Sequence, residues 1–156
     1  MLFKWATNTC TNFGYMALVD DDIQLDVQKI LNEIRRIEAQ NEHVVHRRLV
    51  YGHLEFVQCL HMIQNRATVM RRGKWAISKS VYPGWLYPRV CTGAGFLMSN
   101  RAVARLYAMS KITLQFPIDD VYISGILRVR AGLSILRPGV FNTGEGTISV
   151  NHVIQP

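Results

Sequence analysis

Several features that would place a sequence quickly are missing here. No run approaches the roughly 18 apolar residues of a membrane span. The opening Met1-Leu2-Phe3-Lys4-Trp5 turns polar at Thr7-Asn8-Thr9, so the chain as given is expected to carry neither an anchor nor an export signal. There is no Asn-x-Ser/Thr sequon, and nothing points to N-glycosylation. Cys10, Cys59 and Cys91 are too few and too far apart for a disulfide-dense scaffold or a zinc ribbon. They leave room for one disulfide with an odd thiol, and the redox compartment stays open. His43, His46, His53 and His61 form no HExxH pattern, which argues against a zinc site. No serine or cysteine carries a nucleophile signature. Internal repeats, low-complexity segments and dividing linkers are absent, so residues 1–156 read as a single domain.

What is present is globular. A chain of 156 residues with 49% hydrophobic and 19% charged residues can bury a real core. Lysine and arginine outnumber the acids 18 to 11, for a formal charge of +7. That balance favours anionic partners: nucleic acid, an anionic membrane surface or a phosphorylated small molecule. The bases fall in short groups (Arg35-Arg36, Arg47-Arg48, Arg71-Arg72 with Lys74, Arg128 with Arg130), so charge alone does not choose among these.

Tyr15 to Val19 is a short apolar run that fits a buried strand and ends in Asp20-Asp21-Asp22. From Ile23 to Ala39, the residues Ile23, Val27, Ile30, Leu31, Ile34 and Ile37 fall at helical spacing, and Asp26 can cap that helix. Residues 44–64 read as one or two strands with a turn at Tyr51-Gly52-His53. Arg71-Arg72-Gly73-Lys74 is a loop leading into Trp75, and two Tyr-Pro pairs between Tyr82 and Pro88 exclude a helix. Thr92-Gly93-Ala94-Gly95 is a turn feeding the strand Phe96-Leu97-Met98. Asn100 can cap a helix that buries Val103, Leu106 and Tyr107, and Asp119-Asp120 opens another ending near Gly132. The tail alternates turns with short apolar pieces up to Val150–Val153. Alternating strands and helices predict an α/β class.

Five of the eleven acids lie in two clusters, Asp20 to Asp22 and Asp119-Asp120. Adjacent like charges repel, and a divalent cation is one thing that offsets the cost. Hard cations take carboxylate oxygens and share their remaining sites with substrate phosphates. The end of a buried strand is also where ligands bind in open α/β sheets. Taken alone, the triplet reads as a solvated turn or an acidic helix start, and capping alone accounts for Asp119-Asp120. A carboxylate held there also suits a general base. Gly93-Ala94-Gly95 is too short for a dinucleotide fingerprint and reads as a tight turn. Trp75, Tyr82, Trp85 and Tyr87 gather aromatic surface on which sugars or nucleobases could stack, though most aromatics are core. His152 stands apart near the end, structural or a third metal ligand.

Read in order, these pieces resemble the β-1,3-galactosyltransferase and β-1,3-N-acetylglucosaminyltransferase family, glycosyltransferase family 31. Lys4-Trp5 with Cys10, Tyr15-Met16 and Asp20-Asp21-Asp22 resemble the family's segment with the DxD metal motif. Lys74-Trp75, Tyr82-Pro83, Tyr87-Pro88 and Cys91-Thr92-Gly93-Ala94-Gly95-Phe96-Leu97-Met98-Ser99 are similar to its central block, and Ile118-Asp119-Asp120-Val121-Tyr122 to its E-D-V-Y motif.

The resemblance implies a GT-A-like fold, here incomplete, because the family has on the order of a hundred lumenal residues before the metal motif, with strands that hold the nucleotide. It implies an inverting hexosyltransferase moving galactose or N-acetylglucosamine from a UDP-sugar to a glycan hydroxyl, on a glycoprotein or glycolipid, in β-1,3 linkage. Manganese would be held by Asp20 and Asp22, with His152 near the metal. Asp120 would be the catalytic base, while Asp21, Trp75, Tyr82, Gly93, Gly95 and Asp119 would shape the donor and acceptor pocket. Golgi residence on the lumenal side follows by kinship, with membrane attachment only through an anchor outside this chain. Asp119 replaces the usual glutamate, and Ser124 stands where many members carry glycine, with Gly125 next. The alternatives are an inactive relative that binds a glycan or a protein and, against the dispersed arginines, a basic nucleic-acid binder.

Overall fold

In a computed structural model the described residues are 2–10, 12–20, 26–48, 55–60, 62–92 and 95–136. Asp21, Asp22, Gly93, His152, the expected turn at 51–53 and the tail pieces lie outside them. The elements in chain order are α1 (Leu2–Asn8), β1 (Tyr15–Val19), α2 (Val27–Arg48), β2 (Phe56–Cys59), β3 (Met62–Gln64), β4 (Val90–Thr92), β5 (Gly95–Ser99) and α3 (Asn100–Ser110). A π-helix (Val121–Leu127), α4 (Arg128–Arg130) and β6 (Ser134–Leu136) follow. The class is mixed α/β, as expected.

The main sheet has the order β1-β5-β2-β6. β5 runs antiparallel to both neighbours, and β6 joins β2 in parallel. Its central strands are mostly apolar and are buried along their whole length, the pattern of a sheet covered on both faces. One cluster packs Val57, Cys59, Phe96 and Met98 against Val103 and Leu106 of α3 and Leu127 of the π-helix. On the other side Leu60 and Leu97 meet Ile30 of α2, with Ile34 packed against them. Cys59 and Cys91 form a disulfide and Cys10 is free, which settles the cysteine arithmetic.

Asp26 caps α2 as expected, with its Oδ1 accepting from the backbone N–H of Lys29 at 3.0 Å. The helix then runs on to Arg48, through residues expected as strand. β-branched residues at 44–45 favour strand locally, but extending a nucleated helix adds a hydrogen bond for each residue fixed. Among the described residues of that stretch, strands appear at 56–59 and 62–64. Within α2, Val27 and Leu31 face water. Glu33 is buried instead, accepting from Gln58 Nε2 at 2.5 Å and from Arg36 at 2.7 Å. Burial pulls the Glu33 carboxyl up, but the bonds from Arg36 and Gln58 outweigh it and hold it below the ordinary value.

Helix α3 is capped by Ser99 rather than Asn100: its hydroxyl accepts from the Ala102 N–H at 3.3 Å. The buried residues there are Ala102, Val103 and Leu106, with Tyr107 only partly covered.

Candidate active site

The two acidic segments arrive from different elements. β1 delivers one at its C-terminal end. Its last pair is Val19 with Gly95, the first residue of β5. Gly95 has φ +121°, and a Cβ there would lie 2.0 Å from the Leu18 carbonyl oxygen. Only glycine permits this approach, so the expected glycine turn sets how closely β5 lies against the strand that ends in Asp20. Asp20 itself is exposed.

The second segment follows Phe116-Pro117-Ile118 and opens the helix. Asp119 is exposed and Asp120 half-buried. Asp120 makes no side-chain capping bond, so capping does not account for it. Its carboxyl is pushed up to about 6 from the ordinary 3.8, first by burial, then by the negative charge of Asp20, then by that of Asp119. Asp20 and Asp120 are therefore near enough to feel each other's charge, although most of the chain separates them.

Behind Asp120 the backbone is tightly held. Ser124, fully buried, donates to the Asp120 carbonyl oxygen at 2.6 Å and accepts from the Cys91 N–H at 2.8 Å. One hydroxyl thus ties the start of the helix to β4, beside the disulfide. Gly125 lies against the same strand, where a Cβ would stand 2.8 Å from Val90 Cγ1. The wider turn of a π-helix presents both residues to β4. The glycine required for close packing is thus Gly125, and the serine at 124 adds a bond. Arg128 closes the far end: its guanidinium donates to the carbonyls of Ser124 at 2.6 Å, Leu133 at 3.0 Å and Arg89 at 3.3 Å.

The stretch 66–89, mostly irregular, flanks this helix. Val69, Ile77, Tyr87 and Val90 pack with Phe116 and Val121, the residues bracketing the acidic pair. Tyr82 joins through ring contacts with Tyr87 at 5.2 Å and Phe116 at 6.0 Å, and its hydroxyl donates to the Leu86 carbonyl at 3.0 Å. Arg71 replaces a strand ladder here. It donates to the carbonyls of Ile77, Tyr82 and Gly84 at 2.8, 2.9 and 2.6 Å. Trp75 is outside the buried cluster, exposed, with Lys74 Nζ 4.8 Å from its ring centre.

The structure therefore sets Asp20 and Asp119 within electrostatic reach of Asp120, places Gly95 beside the strand that leads to Asp20, and seats Tyr82 in the wall behind Asp119 and Asp120. Among the described residues no group of three or more His, Cys, Asp or Glu is arranged to hold a metal ion, and no helix is long and apolar enough to cross a membrane. Two mutually sensed carboxylates nevertheless suit a hard cation that shares its shell with phosphates, since such ions use one or two protein carboxylates. Sequence reasoning missed the roles of Ser124, Arg71 and Arg128. A serine inside the largely apolar run Val121–Leu127 was a usable signal for the first; the two arginines gave none.

Comparison with known proteins identifies a family. A family model described as galactosyltransferase matches residues 1–138. A β-1,3-galactosyltransferase of Drosophila melanogaster is 26% identical over 132 residues, 85% of this chain and 37% of its own length. A human N-acetyllactosaminide β-1,3-N-acetylglucosaminyltransferase is 30% identical over 142 residues, 91% of this chain and 34% of its own. A pig UDP-GalNAc:β-1,3-N-acetylgalactosaminyltransferase is 25% identical over 125 residues, 79% and 33% respectively. The chain thus spans about a third of the length of the curated relatives it matches.

Proposed function

Because the chain belongs to the galactosyltransferase family, we propose that it transfers a hexose, galactose or an N-acetylated hexosamine, from a UDP-sugar to a glycan hydroxyl in β-1,3 linkage. The observation that carries this reading is the convergence of Asp20 with a half-buried Asp120. The pig relative is named for a UDP-sugar donor, and all three relatives reported above are named β-1,3-transferases. The fold in this reading is a GT-A-like sheet, with Asp20 at a strand's C-terminal end in the position ligands favour.

Asp120 acts as the general base. Partial burial leaves its carboxylate less hydrated and more basic than a surface aspartate, yet ionised at neutral pH. It takes the proton of the acceptor hydroxyl as that oxygen bonds to the anomeric carbon. The bond from that carbon to the diphosphate breaks on the opposite face, UDP departs, and the anomeric configuration inverts. Ser124 holds the Asp120 carbonyl, so the backbone under the base does not shift as charge moves. In this reading Asp20, with Asp22 and His152, would hold a manganese ion, whose charge would offset that of the departing diphosphate. The Cys59–Cys91 disulfide fits an oxidising compartment such as the Golgi lumen.

The test is to incubate the chain with UDP-galactose or UDP-N-acetylglucosamine, manganese and a β-linked disaccharide, and to assign the product linkage. A manganese-dependent β-1,3 product supports the reading; absence of UDP release from every UDP-hexose overturns it. The one-third coverage of the relatives favours a second reading, a glycan-binding module without turnover, and glycan binding without UDP release selects it.

A further inference from the structure

Between Glu55 and Asp119 the sequence contains no acidic residue. Within that gap, Arg66, Arg71, Arg72, Lys74, Lys79 and Arg89 all belong to the segment that flanks the candidate base. Among the described residues the ion pairs are Lys29–Asp26, Arg36–Glu33 and Arg105–Glu55. None of the six cations takes part.

The backbone gathers them. Val69 N–H donates to the Trp85 carbonyl and Tyr87 N–H to the Ala67 carbonyl, both at 2.9 Å, which sets Arg66 beside the Pro88-Arg89 end. Ile77 N–H donates to the Met70 carbonyl at 2.8 Å, folding the 72–76 loop back onto the same unit. Trp85, 65% exposed, has Lys79 Nζ 5.0 Å and the Arg71 guanidinium 5.8 Å from its ring centre. Trp75, 53% exposed, carries Lys74 in the same way. Leaving two tryptophans in water forgoes a large burial gain. Here each ring lies beside at least one cation that makes no ion pair among the described residues, a pairing of apolar face and positive charge. The underside of this surface is the cluster that contains Val121, next to Asp120.

We propose that this 66–89 face binds an anionic saccharide, one bearing carboxylates or sulfates, as the acceptor of the transfer reaction. The proposal deepens the reading above and rests on it for the word acceptor. Carboxylate or sulfate groups would meet the cations while the apolar faces of the sugar rings lie on Trp85 and Trp75. RNA and an anionic lipid surface offer negative charge too. A saccharide is favoured because the segment packs on the helix that Asp120 opens and joins exposed tryptophan rings to dispersed rather than continuous charge.

The experiment measures binding to the whole chain, without UDP-sugar or metal, of four probes. These are a chondroitin sulfate hexasaccharide, a neutral chitohexaose, single-stranded oligouridine, and vesicles containing phosphatidylserine. The expected result is selective binding of the sulfated hexasaccharide, weakened by salt. Trp85→Ala should weaken it by about tenfold, and the triple variant Arg72→Ala/Lys74→Ala/Lys79→Ala should weaken it and flatten its salt dependence. These side chains are exposed, and a circular dichroism melt confirms that the variants fold. Equal binding of the neutral sugar overturns the proposal. So does equal or tighter binding of oligouridine or vesicles, lost in the same variants. A transfer assay with sulfated and neutral acceptors separates the two readings. Transfer equally to both and insensitive to Trp85→Ala removes the acceptor proposal and leaves the transferase. Selective binding with no UDP release removes the transferase and leaves the surface.

Discussion

The end of β1 and the start of the π-helix both present aspartates, yet the two ends are built differently. Asp20 lies in water beyond an edge strand that is only partly covered. Asp120 is half-buried, its carboxyl pushed up to about 6 by burial first and by Asp20 second. Its backbone is anchored through Ser124 to a buried strand. A carboxylate exposed at a strand end is accessible from solvent, which suits gripping a cation. A desolvated and braced one is basic and fixed in place, which suits taking a proton. Identical side chains acquire different chemistry from what packs around them.

Four perturbations break or sharpen this contrast. The largest effect is expected from Asp120→Asn, which keeps the shape and removes the base. UDP-sugar transfer should fall by about 10²–10⁴-fold, read as the initial rate of UDP release, and equal rates in both proteins would contradict the assignment. Next, Gly95→Ala forces a Cβ against the Leu18 carbonyl and should part β1 from β5. A loss of ~3 kcal/mol is expected in urea unfolding, together with loss of the Asp20 influence on Asp120. Ser124→Ala leaves the buried Cys91 N–H without its acceptor and should cost ~2 kcal/mol. Transfer should fall too while the Asp20 side is untouched, and a wild-type unfolding curve would refute the bracing role.

The fourth perturbation is pH. The folded-state value of Asp120 is raised above its ordinary one. The protonated carboxyl therefore contributes stability that is fully present below pH 3.8 and lost as pH rises through about 6. Asp120→Asn should match wild type at the acid end of that window and be the more stable of the two above it. Calorimetric melts of the metal-free proteins across the window measure the difference.

Much of this arrangement was legible in the residues. The Asp26 cap, the glycine at the β1–β5 contact and the two acidic clusters each announce themselves by local chemistry. Their order along the chain resembled a family that the comparison with residues 1–138 bears out. What was hidden depended on partners distant in sequence. Glu33 looks like a surface residue of an amphipathic helix until Gln58, from β2, meets it. Arg71 looks like one of a basic group until three carbonyls of a coil converge on it. The strand expected from residue 44 failed because local β preference lost to continuation of α2. The positive face was missed because the cations were weighed without the long gap in acids. Asp21, Asp22, Gly93 and His152 lie outside the described residues, and their expected roles rest on the sequence.

The central claim, that the two acidic segments meet at one site, is tested most directly by carbon-13 NMR titration of the Asp120 carboxyl in wild type and in Asp20→Asn. The account predicts a midpoint near 6 in wild type that moves down, without reaching the ordinary 3.8, when the Asp20 charge is removed. Identical midpoints in the two proteins, or a wild-type value at 3.8, would contradict it.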